Sequence, residues 1–137
     1  MKVRDLMSRE VATVRRNDKL VIADDLMNLG RIRHTPVLDD DSDEVVGILS
    51  QRDLFRGALS RAIGYGSHAQ QKLLNQLAVK DVMTTDPVTT TPDAPLADAA
   101  RTMLERKIGC LPVLEGGKLV GILTESDFVR LALRKGA

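Results

Sequence analysis

The sequence predicts an α+β fold, an internal duplication of a β-α-β-β-α unit, with two small sheets and their helices packed face to face about a pseudo-twofold axis. The first observation is that the chain matches itself when it is shifted by 76 positions. The second is that the apolar spacing changes from strand-like to helical and back in the same order in each copy. The third is size: one copy of roughly 55 residues buries too little surface to be stable alone, so the copies are expected to pack together.

The duplication extends over nearly the whole chain. The matching segments include Val3-x-Asp5-x-Met7 with Val79-x-Asp81-x-Met83, and, after a two-residue shortening, Val46-Gly47-Ile48-Leu49 with Val120-Gly121-Ile122-Leu123. We therefore divide the chain into a first domain at residues 1–60, an ordered linker with a helix at 61–78, and a second domain at 79–137. In the linker, residues 67–70 have the spacing of a capping box, which predicts the start of its helix.

Each copy begins with a brief strand and a helix. Residues 12–14 and 88–90 are short and rich in β-branched side chains, which predicts strands. The helices that follow begin near Leu20 and Leu96, where apolar residues recur at the helical period. Asn17 or Asp18 is expected to cap the first of these helices and Asp93 the second.

Two hairpins and two final helices complete the copies. Apolar runs at 34–38 and 45–50 are joined by an acidic turn, and runs at 110–114 and 119–124 by a glycine-rich one. The acidic turn 39–44 lacks the spacing and the glycine of an EF-hand, which favours a solvated hairpin tip over a cation site. The final helices start near Ser50 and Thr124. The duplicated methionines are expected to pack in the core or between the copies: Met7, Met27, Met83 and Met103.

Composition excludes several classes of function. The formal net charge of +1 gives no field for a nucleic acid or a membrane surface, and the few aromatic residues offer no platform for stacking bases. Cys110 is the only cysteine, so neither an intramolecular disulfide nor a cysteine-based zinc site is expected. The N-terminal residues are charged and no apolar run reaches the length of a signal or spanning segment, which predicts a cytoplasmic protein.

A Gly-x-x-Ser/Thr-x-x-Asp segment occurs once in each copy and could carry chemistry. Gly47 and Gly121 lack a Cβ and allow another group to approach the strand. Ser50 or Thr124 lies at a helix N-terminus, where free N–H groups favour an anion or an acceptor. Asp53 or Asp127, one turn on, could accept hydrogen bonds from two vicinal ribose hydroxyls. The same spacing is also close to a capping box, which stabilises a helix start without any ligand.

These motifs together resemble the CBS domain, a family named for cystathionine β-synthase. The first copy carries Val3-Arg4-Asp5-Leu6-Met7, Thr35-Pro36-Val37-Leu38 and Gly47-Ile48-Leu49-Ser50-Gln51-Arg52-Asp53, and the second repeats the set in the same order. The resemblance implies that the two copies form one module, often dimeric, that binds an adenosine compound such as AMP, ADP, ATP or S-adenosylmethionine in its cleft. It implies no required cofactor and no metal.

The resemblance also implies roles for individual residues. Asp53 and Asp127 would hold ribose, with Ser50 and Thr124 beside it, and Arg33 and His34 would face phosphates in the first copy. The alternative is that Arg33 is a solvated charge and His34 an ordinary strand-edge residue. The second copy has Gly109 and Cys110 at the aligned positions, so its cleft is expected to bind a less charged adenosine compound or nothing. The remaining expected ligand contacts are Gly47, Gly121, Thr35, Cys110 and Leu111.

Three classes of function follow from these observations. The favoured one is a regulatory module in which an adenosine nucleotide shifts the packing of the copies and so alters association with an unidentified partner. The second is a ligand-independent dimerisation or protein-interaction module, in which Asp53 and Asp127 serve only as helix caps. The third is an enzyme, which is disfavoured because no catalytic triad is evident with only His34 and His68 available.

Overall fold

A computed structural model describes residues 1–62, 72 and 74–135 of the chain. The chain forms two compact units: residues 12–86 make up the central unit, and residues 1–11 together with 87–137 make up the terminal unit. The fold is α+β in both units. In the described part of the chain, no helix has the length and apolarity needed to cross a membrane.

The central unit contains a four-stranded sheet. Its strands are β1 (Val14–Arg15), β2 (His34–Leu38), β3 (Val45–Ser50) and β4 (Thr84–Thr85), in that order across the sheet. β1 and β2 are parallel, and the other pairs are antiparallel. The helices are α1 (Leu20–Gly30), α2 (Gln51–Ala62) and a 3-10 helix at Val79–Asp81.

The terminal unit repeats this arrangement with fewer backbone pairs. Its first element is a 3-10 helix at Val3–Asp5. After residues 12–86, which form the central unit, the chain continues with α3 (Leu96–Arg106), β5 (Cys110–Glu115), β6 (Lys118–Thr124) and α4 (Glu125–Lys135). β5 and β6 form an antiparallel pair. Single bridges from Thr90 to Val113 and from Ser8 to Ile122 occupy the places that β1 and β4 hold in the central unit.

The compact units differ from the sequence repeats because two segments are exchanged. The first 11 residues, which begin the first repeat, fold into the terminal unit, and the segment up to Asp86, which begins the second repeat, folds into the central unit. Each exchanged segment pairs with the middle of a strand, through Thr84 and Ile48 in one unit and Ser8 and Ile122 in the other. Periodicity within one repeat carries no information on this exchange.

The cores follow the predicted helical stripes. α1 buries Leu20, Ala23 and Met27, and α3 buries the equivalent residues Leu96, Ala99 and Met103. Of the other duplicated methionines, Met7 is buried and Met83 packs partly buried against the central core. The prediction that the methionines serve packing is therefore confirmed. From the linker, Leu74 is buried in the central core, whereas the capping box predicted at residues 67–70 lies outside the described residues.

The predicted caps of α1 and α3 are wrong. The N-cap residues are Lys19 and Pro95, and neither side chain makes a cap hydrogen bond. Instead, the Leu20 N–H donates to the Leu77 carbonyl at 2.7 Å, and the Leu96 N–H donates to the Met1 carbonyl at 2.9 Å. Backbone carbonyls from chain segments distant in sequence satisfy these helix-start donors in place of side chains.

The acidic side chains predicted as caps have other partners. Asp18 accepts the backbone N–H of Arg15 at 2.8 Å and so closes a local turn. The Asp93 carboxylate accepts from Arg4, with an Nη2–Oδ1 distance of 2.6 Å. This hydrogen bond, together with the positive charges of Arg4 and Lys2, lowers the pKa of Asp93 from its usual value.

Candidate functional site

In the central unit, the start of β2 and the end of β3 bring four predicted site residues to one place, here called the central junction: Arg33, His34, Ser50 and Asp53. His34 and Ser50 are register partners in the sheet. The Gln51 N–H donates to the Arg33 carbonyl at 2.8 Å, which ties the start of α2 to the residue before β2. Arg33 is exposed, and the other three side chains are half-buried.

The terminal unit contains the equivalent group, here called the terminal junction: Gly109, Cys110, Thr124 and Asp127. Cys110 is paired with Thr124 in the sheet, and the Glu125 N–H donates to the Gly109 carbonyl at 3.1 Å. The backbone is thus the same as in the central junction. The side chains differ, because Arg33 and His34 are replaced by a glycine and a buried thiol.

Each junction contains one half of a capping box. In the central junction the Ser50 hydroxyl accepts the N–H of Asp53 at 2.9 Å. In the terminal junction the Asp127 carboxylate accepts the Thr124 N–H at 2.8 Å and the Thr124 hydroxyl at 3.2 Å. The interpretation of these motifs as helix caps is confirmed. A carboxylate has several acceptor positions, so a ligand role for either aspartate stays a prediction alongside the cap.

The two aspartates have different further partners. Asp53 accepts a long 3.4 Å hydrogen bond from the Thr84 hydroxyl on the exchanged strand β4. Asp127 is buried, with 7% of its surface exposed, and pairs with Arg130 at 3.0 Å on the next turn of α4. Sequence reasoning missed both partners. The three-residue spacing of Asp127 and Arg130 on one helix could have revealed the second, whereas nothing local connects Thr84 to Asp53.

The chain itself fills the space beside Gly47 and Gly121. A Cβ on Gly47 would lie 2.7 Å from the Met83 sulfur and 2.8 Å from the Thr84 carbonyl oxygen. A Cβ on Gly121 would meet Met7 and Ser8 in the same way, at 2.7 and 2.9 Å. The close approach expected at these glycines therefore occurs, and the approaching group is an exchanged segment. Both glycines therefore have a packing role, and their contact with a ligand stays a prediction.

Three other predicted contacts have side chains placed inside their units. Thr35 is fully buried, and its hydroxyl donates to the Ala12 carbonyl at 2.7 Å. Leu111 is 1% exposed and belongs to the terminal core. Cys110 is buried, and burial, with a smaller contribution from the negative charge of Glu125, raises its thiol pKa to about 12. All three side chains pack within their units, as is usual for a small buried cysteine, and the ligand contacts of these residues stay predictions.

The acidic hairpin between β2 and β3 binds the guanidinium of Arg15, which lies on the neighbouring strand β1. The Arg15 guanidinium donates at 2.6 Å to the carbonyls of Asp39 and Ser42, and pairs with Asp43 at 3.1 Å. Within residues 1–62, 72 and 74–135, no group of three or more His, Cys, Asp or Glu side chains is placed to hold a metal ion. Arg15 accounts for the shape of this turn through ordinary hydrogen bonds.

Comparison with known proteins identifies both repeats. The family model of the CBS domain matches residues 3–60 and 79–134. A CBS domain-containing protein of Dictyostelium discoideum is 31% identical over 96% of this chain and 91% of its own length. Protein MJ1225 of Methanocaldococcus jannaschii is 29% identical, and the chain spans 42% of that protein's length. The chain also matches part of a longer enzyme, homoserine O-acetyltransferase of Methanococcoides burtonii, at 31% identity over 24% of the enzyme's length.

Solved structures share the fold and, in two cases, contain a ligand. The AcuB protein of Vibrio cholerae has a TM-score of 0.81 and 38% identity, covering 98% of this chain and 92% of its own. CBSX2 of Arabidopsis thaliana, solved in complex with AMP, has a TM-score of 0.77 and 33% identity, covering 99% and 98%. The CBS domain pair of MJ0100, solved with 5′-methylthioadenosine and S-adenosylmethionine, has a TM-score of 0.79 and 25% identity, covering 98% of both chains. With both repeats matched and the fold shared, this chain belongs to the CBS domain family.

Proposed function

We propose that this chain is a regulatory module that binds an adenosine nucleotide at the central junction and thereby alters its association with a partner protein. The observation that carries the proposal is the grouping of Asp53, Ser50 and Arg33 at the start of α2, in a chain whose structural relatives were solved with AMP or S-adenosylmethionine. The proposal assigns the chain no reaction of its own and no required cofactor.

The chemistry of the central junction suits a phosphorylated nucleoside. The half-buried Asp53 carboxylate can accept hydrogen bonds from both hydroxyls of a ribose. The guanidinium of the exposed Arg33 forms no hydrogen bond or ion pair within residues 1–62, 72 and 74–135, so its fork of donors can face a phosphate. The N-terminal end of the α2 dipole adds a favourable field for the same negative charge.

The regulatory step requires that the ligand prefer one arrangement of the protein over another. Asp53 offers a physical link for this, because its carboxylate also accepts the Thr84 hydroxyl at 3.4 Å. Thr84 lies on the exchanged segment, two residues before the boundary of the central unit at Asp86. A ribose whose hydroxyls donate to the Asp53 carboxylate would break the hydrogen bond from Thr84, so this segment would lose one of its contacts with α2.

Thermal unfolding with millimolar AMP, ADP, ATP and S-adenosylmethionine tests the proposal. A ligand at a hundred times its dissociation constant stabilises the folded state by about 2.7 kcal/mol, a shift of several degrees in the midpoint for a domain of this size. We expect Asp53→Ala to abolish the shift. With adenosine added to the series, Arg33→Gln should weaken the response to the nucleotides more than the response to adenosine. Asp41→Ala and Arg106→Gln, which change exposed residues elsewhere, are the matched controls and should respond as the wild type does.

The second candidate is a ligand-independent dimerisation module. Phe55 on α2 and the repeat-equivalent Val129 on α4 expose 54% and 64% of their surfaces, and Leu133 exposes 79%. Apolar side chains at matching positions of both final helices suit an interface between two copies of the chain. If no adenosine compound shifts the midpoint of the folded protein, this candidate becomes the leading one. We propose a cytoplasmic location under either function, because a reducing compartment keeps the thiol of Cys110 free.

A further inference from the structure

The two junctions occupy equivalent positions in the repeats. They differ in how many acceptor positions of the aspartate carboxylate are already used by hydrogen bonds within the chain. A carboxylate has two oxygens with about four acceptor positions between them. In the terminal junction, Oδ2 of Asp127 accepts both the N–H and the hydroxyl of Thr124, and Oδ1 accepts Nη1 of Arg130 at 3.0 Å. Two vicinal hydroxyls need two acceptor positions, and Arg130 holds one of those that remain.

The central junction is open by comparison. Arg56 has the sequence position of Arg130, yet among the residues the structure describes it forms no ion pair with Asp53. From the part of the chain that the structure describes, the Asp53 carboxylate accepts one hydrogen bond, the long one from Thr84 at Oδ2. Ser50 also differs from Thr124, because its hydroxyl oxygen accepts the Asp53 N–H and its own proton stays available to a ligand.

Displacing Arg130 from Asp127 would be unfavourable for a neutral ligand. Arg130 is 67% exposed, but the Asp127 side chain is only 9% exposed, so the guanidinium covers a carboxylate that is almost entirely removed from water. A ribose hydroxyl in its place would exchange a hydrogen bond between two charged groups for one in which only the carboxylate is charged.

The charges around the two junctions also favour a phosphate at the central junction over the terminal junction. Glu125 begins α4 where α2 has the neutral Gln51, and its negative charge acts on the neighbouring Cys110. Cys110 keeps its proton at neutral pH and supplies no charge, whereas the central junction has Arg33 at the position aligned with Gly109. At the terminal junction, positions 109, 110 and 125 would therefore present a phosphate with one acidic side chain and no basic one.

We infer that Arg130 closes the terminal junction to ribose, so that one chain binds a single adenosine ligand, at the central junction. The inference rests on the proposed function. It assigns Arg130 a specificity role that is separate from the capping of α4, because the cap bonds come from Thr124 and not from the guanidinium.

Titration calorimetry with adenosine tests this inference, because adenosine has the ribose diol but no phosphate for Glu125 to repel. The wild type should bind one equivalent, and Asp53→Ala should bind none at millimolar adenosine. The double variant Asp53→Ala/Arg130→Met should regain one equivalent, at the terminal junction. Adding Asp127→Asn to this double variant should weaken that binding by at least about tenfold, the effect of losing one good charged hydrogen bond. Asp53→Ala/Arg134→Met removes a charge from the same helix and should bind none.

The outcomes separate the inference from the proposed function. If the wild type binds two equivalents and Asp53→Ala binds one, or if the folded Asp53→Ala/Arg130→Met variant binds none, Arg130 does not close the terminal junction and the inference is wrong, although the central junction stands. If the wild type and Asp53→Ala both bind one equivalent, ligand binding does not depend on Asp53, and the proposed site is wrong together with the inference. If neither the wild type nor Arg130→Met binds adenosine or AMP, the proposed function fails and the inference fails with it. Circular dichroism and the thermal midpoint confirm that each variant is folded.

Discussion

Gly47 and Met83 lie so close together that a Cβ on the glycine would be 2.7 Å from the methionine sulfur. Gly121 and Met7 have the same relationship, also at 2.7 Å. In both cases the backbone carbonyl that follows the methionine is nearly as close, at 2.8 and 2.9 Å. The glycine of each repeat thus fits the segment that the other repeat contributes to its unit.

This packing predicts that Gly47→Ala and Gly121→Ala destabilise the protein. The methionine can move, but the carbonyl belongs to a paired backbone, so each added methyl should cost about 1–3 kcal/mol, as overpacking usually does. The free energy of unfolding from urea titration is the measurement. Gly30→Ala is the matched control, because its Cβ would meet only Ile32 at 3.7 Å and should be neutral or stabilising. Equal effects at Gly30 and Gly47 would contradict the packing role.

The different hydrogen bonds at the two helix starts predict that Asp127→Ala and Asp53→Ala lower the free energy of unfolding by unequal amounts. Asp127→Ala removes the acceptor for Thr124 and Arg130 at a buried position and should cost about 1–3 kcal/mol of stability. Asp53→Ala leaves the Ser50 cap intact and loses only the long bond from Thr84, so it should cost less than about 1 kcal/mol. Urea titration without ligand measures both, and a larger loss for Asp53→Ala would overturn this account of the caps.

Cys110 should be unreactive in the folded protein. Its thiol is buried and its pKa is raised to about 12, so the reactive thiolate is scarce at pH 8. We expect labelling by a disulfide reagent to follow unfolding, with fast reaction in denaturant and slow reaction without it. Labelling of the native protein at the rate of a free thiol would show that the residue is accessible.

The same pKa shift predicts a loss of stability at high pH. Above about pH 8.5 the thiol of the unfolded chain loses its proton while the buried thiol retains it. The unfolded state then binds fewer protons, so the free energy of unfolding should fall as the pH rises toward 12. Cys110→Ala lacks this contribution, and its stability should decline less steeply than that of the wild type over the same range.

The Arg4–Asp93 contact predicts a measurable titration. Because Arg4 and Lys2 lower the pKa of Asp93, the contact favours the folded state above the usual carboxyl pKa and is lost as the pH falls through the lowered value. Carbon-detected NMR should place the Asp93 midpoint lower in the wild type than in Arg4→Gln. An unchanged Asp93 midpoint would mean that the contact does not persist in solution.

The apolar face of α4 predicts self-association. Val129 and Leu133 lie four residues apart on one side of the helix and are largely exposed. If two copies of the chain pair through this face, Val129→Glu and Leu133→Glu should each reduce the mass measured by sedimentation from that of a dimer toward that of a monomer. Lys118→Glu, at the exposed start of β6, should leave the mass unchanged. A wild-type protein that is monomeric at all tested concentrations would contradict the predicted dimer.

Sequence alone was enough to predict the repeated architecture. The helices with Leu20, Ala23 and Met27 or their equivalents, and the paired apolar strands, follow from periodicities that a single repeat contains. The grouping of Ser50 with Asp53 and of Thr124 with Asp127 was predictable for the same reason, since each pair lies within one helical turn. Local patterns determine such features because the contacts they need are between near neighbours.

Only the tertiary structure decided which repeat supplies each segment. The donors at the starts of α1 and α3 are satisfied by Leu77 and Met1, not by the adjacent polar side chains, and the glycines fit methionines from the exchanged segments. The difference between an open Asp53 and an Asp127 held by Arg130 likewise appears only once the side chains are placed. Sequence spacing cannot determine these contacts, because a backbone carbonyl or a long side chain can satisfy the same donor from any part of the chain that the fold brings near.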